Sequence, residues 1–121
     1  MAMTQKTFAS RLAVRAEQRF GLSFDDILKL IEELLPIIFS LPCFMAAKTP
    51  KKLQANIDEE YRKVSKKKNG RCLPRLRNAL KKRNVTDRDE QDTWYEIILQ
   101  EAFADSQNVA AGLMKAYANG E

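Results

Sequence analysis

The side chains of this chain that could take part in chemistry are carboxylates, cationic groups and two cysteines, because the sequence contains no histidine. Histidine is the commonest general base and a common metal ligand, so its absence excludes the usual hydrolytic triads and many metal centres. The four glycines are scattered and form no phosphate-binding loop. The sequence therefore predicts a non-enzymatic protein that uses no metal or cofactor.

Acidic clusters at residues 32–33, 58–60 and 87–92 are the remaining candidates for catalysis. Two of the three lie at or near a predicted helix start or beside lysines, where acidic side chains stabilise a helix. The acids of residues 87–92 do not have the spacing of an EF-hand calcium loop. These clusters are interpreted as structural.

The two cysteines are Cys43 and Cys72, too few for the disulfide scaffold of a secreted protein. As two isolated residues they cannot complete a zinc site. Cys43 lies in an apolar stretch and is expected to pack as a small hydrophobic side chain. Cys72 lies among Arg71, Arg75 and Arg77, which are expected to lower the pKa of its thiol. Reduced thiols predict a cytoplasmic location, or a place in a viral or other intracellular assembly.

Charge is strongly segregated along the chain. Residues 51–84 contain thirteen basic and three acidic residues, a net charge of +10, whereas residues 85–121 carry a net charge of −6. Such a basic segment is typical of proteins that meet phosphates or acidic partners. The alternative is that acidic protein neutralises it, either within this fold or in another subunit.

The basic segment is the best indication of function. Phosphates are bound by long cationic side chains that need no fixed spacing, and the scarcity of exposed aromatic residues here favours binding without sequence readout. The sequence does not distinguish DNA from RNA. The predicted nucleic-acid-binding residues are Lys63, Lys66, Lys67, Lys68, Arg71, Arg75, Arg77, Lys81, Lys82 and Arg83.

An all-α scaffold must position these groups, because no stretch alternates apolar and polar residues as a strand does. We predict one domain over residues 1–121 with five or six helices, organised around a kinked amphipathic helix. The main helices are expected over residues 4–20, 23–40, 50–67, 73–83, 86–105 and 106–118, with a short helix ending near residue 47. Residues 50–84 are expected to form a basic helical hairpin.

Particular residues define the ends of these helices. Ser23 with Asp26 has the form of a capping box, Thr49 precedes Pro50 as an N-cap, and Gly21 is a stop signal. Pro36 is expected to kink the second helix without ending it.

Arginines at positions 11, 15 and 19 recur along the edge of the apolar stripe of the first helix. They either pair with acids of the chain or add a row of phosphate contacts.

Two groups of apolar residues leave an alternative open between core and interface. Residues 39–45 are more apolar than one amphipathic face requires, and the helix that contains Trp94 is apolar around almost its whole circumference. If these surfaces meet another subunit, the protein is a homo-oligomer or part of a larger assembly. The interface residues would then be Phe39, Leu41, Phe44, Met45 and Trp94.

The leading hypothesis is a basic helical protein that binds nucleic-acid phosphates as an oligomer or within a larger assembly. The alternative is a structural or adaptor subunit, for example of a virus particle, whose basic segment contacts acidic protein. A transmembrane segment is not expected, because the longest uncharged run is 14 residues, whereas a membrane span needs about 20.

Overall fold

The chain folds into helices, as its periodicity predicts. The computed structural model describes residues 3–45, 49–66, 72–106 and 109, with side chains described from residue 8 onward except at Met45. Within these ranges there is no strand, and the all-α prediction is confirmed. The helices are α1 (Met3–Phe20), α2 (Phe24–Ser40), α3 (Pro42–Met45), α4 (Pro50–Ser65), α5 (Leu73–Lys81) and α6 (Arg88–Ala104).

Helix α6 is the centre of the fold, since α1, α4 and α5 all pack against it. Its sequence is apolar around most of the circumference, and a helix of that kind is stable only when it is covered on several sides. Trp94, Tyr95, Ile98 and Leu99 are all buried in it. Helix α2 covers α1 and also contacts α5, so the core extends on both sides of α6.

Helix α2 lacks the predicted side-chain cap at its beginning but runs through Pro36 as predicted. Ser23 has the extended backbone of an N-cap, yet its side chain makes no capping hydrogen bond, so the capping box with Asp26 does not form. Helix α2 continues through the exposed Pro36 to Ser40. The prediction that Pro36 does not end this helix is therefore confirmed.

Side-chain caps fix the starts of α4 and α6. Thr49 accepts a hydrogen bond from the backbone N–H of Lys52 at 3.1 Å, as predicted. At α6 the cap is Asp87, whose carboxylate accepts from the N–H of Glu90 at 2.9 Å. Both caps satisfy donors that the first turn of a helix leaves free.

Gly21 ends α1 in the left-handed conformation, with φ of +65°, and its N–H donates to the carbonyl of Glu17 at 2.9 Å. A Cβ at this position would meet no atom within 4 Å, so Gly21→Ala adds backbone strain alone. We expect it to lower the free energy of unfolding by about 1 kcal/mol. Urea denaturation measures this, with Gly21→Asn as the control that tolerates positive φ and should lose less. Equal stability of the wild type and Gly21→Ala would contradict the prediction.

Candidate functional site

Part of the predicted basic surface is free to meet a ligand. Lys66, Lys81 and Lys82 are exposed, and among the described residues none of their ammonium groups forms an ion pair. Lys51 and Lys52, at the start of α4, are exposed in the same way. Arg75 is also exposed, and its guanidinium donates only to the carbonyl of Ser40, at 3.3 Å, within the described ranges.

Two predicted contacts are instead engaged by carboxylates of the same chain. The Nε and Nη2 atoms of Arg77 both donate to Asp92 Oδ1, at 3.1 and 2.7 Å. Arg83 Nε lies 3.8 Å from Glu33 Oε1, and the Arg83 side chain is three-quarters buried. These guanidinium groups are therefore less available to phosphates than the sequence indicates.

Lys63 also differs from the expectation, because it lies on α4 beside acids one turn away. Its Nζ is 3.4 Å from Glu59 Oε1 and 4.0 Å from Glu60 Oε2. The predicted contacts Lys67, Lys68 and Arg71 lie outside the described residues.

The arginines of α1 pair with acids near the end of α6. Arg15 Nε donates to Glu101 Oε1 at 2.5 Å, and Arg11 Nη1 donates to Asp105 Oδ1. Both carboxylates are nearly buried, whereas both arginines stay partly exposed. The first interpretation, pairing within the chain, therefore holds for Arg11 and Arg15. Two acids of the negative last third therefore pair with arginines of α1 and not with the basic segment.

The Glu101 carboxyl gives the protein a pH-dependent stability. Burial, followed by the hydrogen bond with Asp105, raises the pKa of Glu101 above its ordinary value of 4.5, and Arg15 opposes the shift. A raised pKa means that the folded state binds more protons than the unfolded state, so this contribution to stability falls as the pH rises above 4.5.

We compare the unfolding free energy of the wild type with that of Glu101→Gln. The value for the wild type minus that for the variant should decrease as the pH rises from 4.5 towards neutrality. Urea denaturation of both proteins across this range measures it. Glu96→Gln, at a less buried position of the same helix, is the matched control for removing one acidic side chain from α6. A difference that is constant or grows with pH would contradict the assignment.

The residues predicted as an interface are mostly core. Leu41, Phe44 and Trp94 are each at most 1% exposed, packed against other parts of the same chain. Phe39 is half-buried, with its ring 5.8 Å from that of Phe8 and 6.4 Å from that of Phe44. Leu41, Phe44 and Trp94 therefore have no free surface to offer another subunit, and the core alternative applies to them. The side chain of Met45 lies outside the described residues.

Within the described parts of residues 50–84, α4 and α5 make most of their contacts with other helices and few with each other. The main contacts of α4 are with α6 and α3, and those of α5 are with α6 and α2. Because α6 is apolar on several sides, each of the two helices covers a different part of it. The basic side chains therefore lie on two helices that both pack against α6.

A buried polar cluster is the feature that the sequence did not indicate. Cys43 of α3, Glu60 of α4 and Cys72 before α5 bring two sulfur atoms and a carboxylate oxygen within 4.8 Å of one another. Glu60 Oε1 accepts hydrogen bonds from the Cys72 N–H at 2.9 Å and the Tyr95 hydroxyl at 3.1 Å. The Cys43 N–H donates to Cys72 Sγ at 3.3 Å. None of these four residues is more than 4% exposed.

The two thiols of this cluster have pKa values that shift in opposite directions. Hydrogen bonds from Cys43 lower the pKa of Cys72, whereas the hydrogen bond to Cys72 and burial raise the pKa of Cys43. The pKa of Cys72 shifts in the expected direction, and the largest cause is the hydrogen bond with Cys43. Burial and the nearby negative groups raise the pKa of Tyr95.

Two surface cavities lie elsewhere. One, of about 380 Å³, lies between α4 and α6 and is lined mainly by apolar side chains, including Tyr61 and the 45% exposed Phe103. The other, of about 480 Å³, has Lys82 and Arg83 in its wall but also Glu33 and Glu90. Because its wall carries both signs of charge, this second cavity does not favour a phosphate.

Comparison with protein-family models, with curated protein sequences and with solved structures gives no match for this chain. Among the helices of the described ranges, none combines the length and the apolar character needed to cross a membrane.

Proposed function

We propose that this protein binds the phosphate backbone of nucleic acid without sequence readout and without catalysis. The exposed lysines Lys66, Lys81 and Lys82, at the end of α4 and at the end of α5, provide the binding surface. Phosphate binding of this kind depends on the number of cations available at the surface more than on their arrangement.

The observation that carries the proposal is which basic residues the acids of residues 85–121 pair with. Glu101 and Asp105 pair with Arg15 and Arg11 of α1, near the end of α6 and away from the α5 lysines, which adjoin its beginning. Among the described residues, Asp92 is the one acid of that third that forms an ion pair with a basic residue of 51–84. Lys66, Lys81 and Lys82 form no ion pair within the described ranges, so their charge is available to an external partner.

The kind of contact follows from the side chains that stay exposed. Lys66, Lys81 and Lys82 are flexible point charges, which suit phosphates and carry little information about base identity. Tyr61, the aromatic side chain of the segment, packs against the core, so it supports little stacking on single-stranded bases. We therefore expect similar affinities for different sequences of one nucleic-acid type.

Fluorescence anisotropy with labelled single- and double-stranded DNA and RNA tests the proposal. We expect dissociation constants of about 1–100 μM near physiological salt. Each exposed ion pair contributes about 0.7 kcal/mol, so Lys81→Ala with Lys82→Ala should weaken binding by about tenfold on every sequence.

The matched control is the double variant Ser10→Glu with Val14→Glu, which changes the net charge by the same amount. Both positions are exposed on α1, beside the arginine that contacts Asp105, whereas the α5 lysines adjoin the beginning of α6. The two ends of the 17-residue helix α6 are about 25 Å apart. Equal weakening by both double variants would indicate a general charge effect and contradict a defined surface.

The alternative role, a structural or adaptor subunit, is separated by the same experiment. It predicts no binding to any of the nucleic acids at low salt. In that case a basic surface of this kind would be expected to bind acidic protein, with the same loss on substitution of Lys81 and Lys82.

A further inference from the structure

We propose that Cys43, Glu60 and Cys72 form a binding site for a zinc ion. This site is separate from the lysine surface and does not depend on nucleic-acid binding. Two thiolates and a carboxylate are ligands that zinc accepts in proteins, and three protein ligands leave one position for water.

The distances suit a metal ion. The three ligand atoms are contributed by α3, by α4 and by the residue before α5, and all lie within 4.8 Å of one another. Two sulfur ligands at about 2.3 Å from a tetrahedral zinc ion are about 3.8 Å apart, so closure needs shifts of about 1 Å or less.

The hydrogen bonds around the cluster orient its ligands. The N–H of Cys43 points at Cys72 Sγ, at 3.3 Å, a contact that stabilises a thiolate. The N–H of Cys72 and the hydroxyl of Tyr95 both donate to Glu60 Oε1 and so hold the carboxylate in place. Donors of this kind, one shell outside the metal, tune affinity in many metal sites. Asn56 Nδ2 also donates to the Cys43 carbonyl at 3.0 Å, which fixes α3 against α4.

Burial provides the second argument. Glu60 is 2% exposed and lies beside two thiols that are 4% and 0% exposed, a combination that is costly in a small core. A divalent ion would offset the charge of the carboxylate and of both thiolates. The remaining negative charge is met by Lys63, whose Nζ lies 4.0 Å from Glu60 Oε2.

Titration of the full chain with Co²⁺, after reduction and removal of metal by a chelator, tests the site. We expect one Co²⁺ per chain with the near-ultraviolet charge-transfer absorption of cobalt thiolates, and displacement of Co²⁺ by Zn²⁺. Zn²⁺ should also raise the melting temperature, because it binds the folded state. Metal analysis of protein purified without chelator should give about one zinc per chain.

Substitutions assign the ligands. Cys72→Ser should abolish the charge-transfer absorption, and Glu60→Gln should weaken Co²⁺ binding by at least about tenfold. Tyr95→Phe removes only a supporting hydrogen bond and should weaken binding by about tenfold while keeping the cobalt thiolate spectrum. Glu59→Gln, on the neighbouring residue with a 67% exposed side chain, is the control and should bind as the wild type does.

Three results would overturn the proposal. The first is wild-type protein that is folded by circular dichroism but gives neither the absorption nor a shift in melting temperature. The second is unchanged affinity in Cys72→Ser or Glu60→Gln. The third is a Cys43–Cys72 disulfide, seen by mass spectrometry, in protein that takes up no Co²⁺ after reduction. None of these results bears on the phosphate-binding proposal, which is measured with other residues and another ligand.

Discussion

Trp94→Ala should lower the free energy of unfolding by about 4 kcal/mol, because it removes the largest buried side chain of the core. Trp94 is 1% exposed, and its ring stacks on that of Phe20 with centroids 5.0 Å apart. Helix α6 is packed on several sides, so the surrounding helices cannot easily collapse into the space. A domain of this size has a total stability of about 5–15 kcal/mol, so the variant should lose at least about a quarter of it.

Phe103→Ala is the matched control, since it truncates an aromatic residue of the same helix that is 45% exposed. We expect it to cost about 1 kcal/mol or less. Urea denaturation monitored by circular dichroism measures both variants at several protein concentrations. If Trp94 instead belonged to a subunit interface, its truncation would change self-association and leave the stability of the monomer nearly unchanged.

Glu60→Ala should cost about 3 kcal/mol when it is measured in the presence of a chelator, so that no metal contributes. The carboxylate accepts hydrogen bonds from the Cys72 N–H and the Tyr95 hydroxyl, both inside the core. Truncation leaves two buried donors without a partner and creates a cavity, and each unsatisfied donor costs about 1–3 kcal/mol.

Glu59→Ala is the control for this effect, one residue earlier on α4. Its side chain is 67% exposed and pairs with Lys63 at 3.4 Å, and such surface pairs contribute little. We expect a change within about 0.5 kcal/mol. Similar losses in both variants would show that the buried hydrogen bonds of Glu60 do not stabilise the fold.

Most of the fold follows from local sequence patterns. The apolar spacing of the first helix places Phe8, Leu12 and Ala16 on one buried stripe, and the same reasoning holds for α2. Capping and stop residues such as Gly21, Thr49 and Pro50 lie at the helix ends that the structure shows. These features are local, because each depends on residues within one or two helical turns.

The side chains of the site were harder to predict, because they depend on which helices meet. The sequence shows that residues 39–45 and Trp94 are apolar, but only the packing of the helices around them, α4 included, decides that Leu41, Phe44 and Trp94 belong to the core. Likewise, the pairing of Arg15 with Glu101 joins residues 86 positions apart. Composition cannot indicate which acids neutralise which bases.

The cysteine cluster was missed for two reasons. Cys43 and Cys72 are separated by 29 positions, so their spacing resembles no metal motif. Glu60 was grouped with the acids of its neighbours, although residues 53, 57, 60 and 64 form the buried stripe of α4. The charged residue Glu60 on the otherwise apolar buried face of α4 was the signal in the sequence that could have indicated this site.

The salt dependence of nucleic-acid binding tests the account most directly. The observed association constant of the wild type should fall linearly on a log–log plot against salt, with a slope of about −0.9 for each phosphate neutralised on double-stranded DNA. The variant with Lys81→Ala and Lys82→Ala should have a slope that is shallower by about 2, and the variant with Ser10→Glu and Val14→Glu should keep the wild-type slope. Binding that does not respond to salt, or no binding at low salt, would contradict a protein whose exposed lysines bind phosphate.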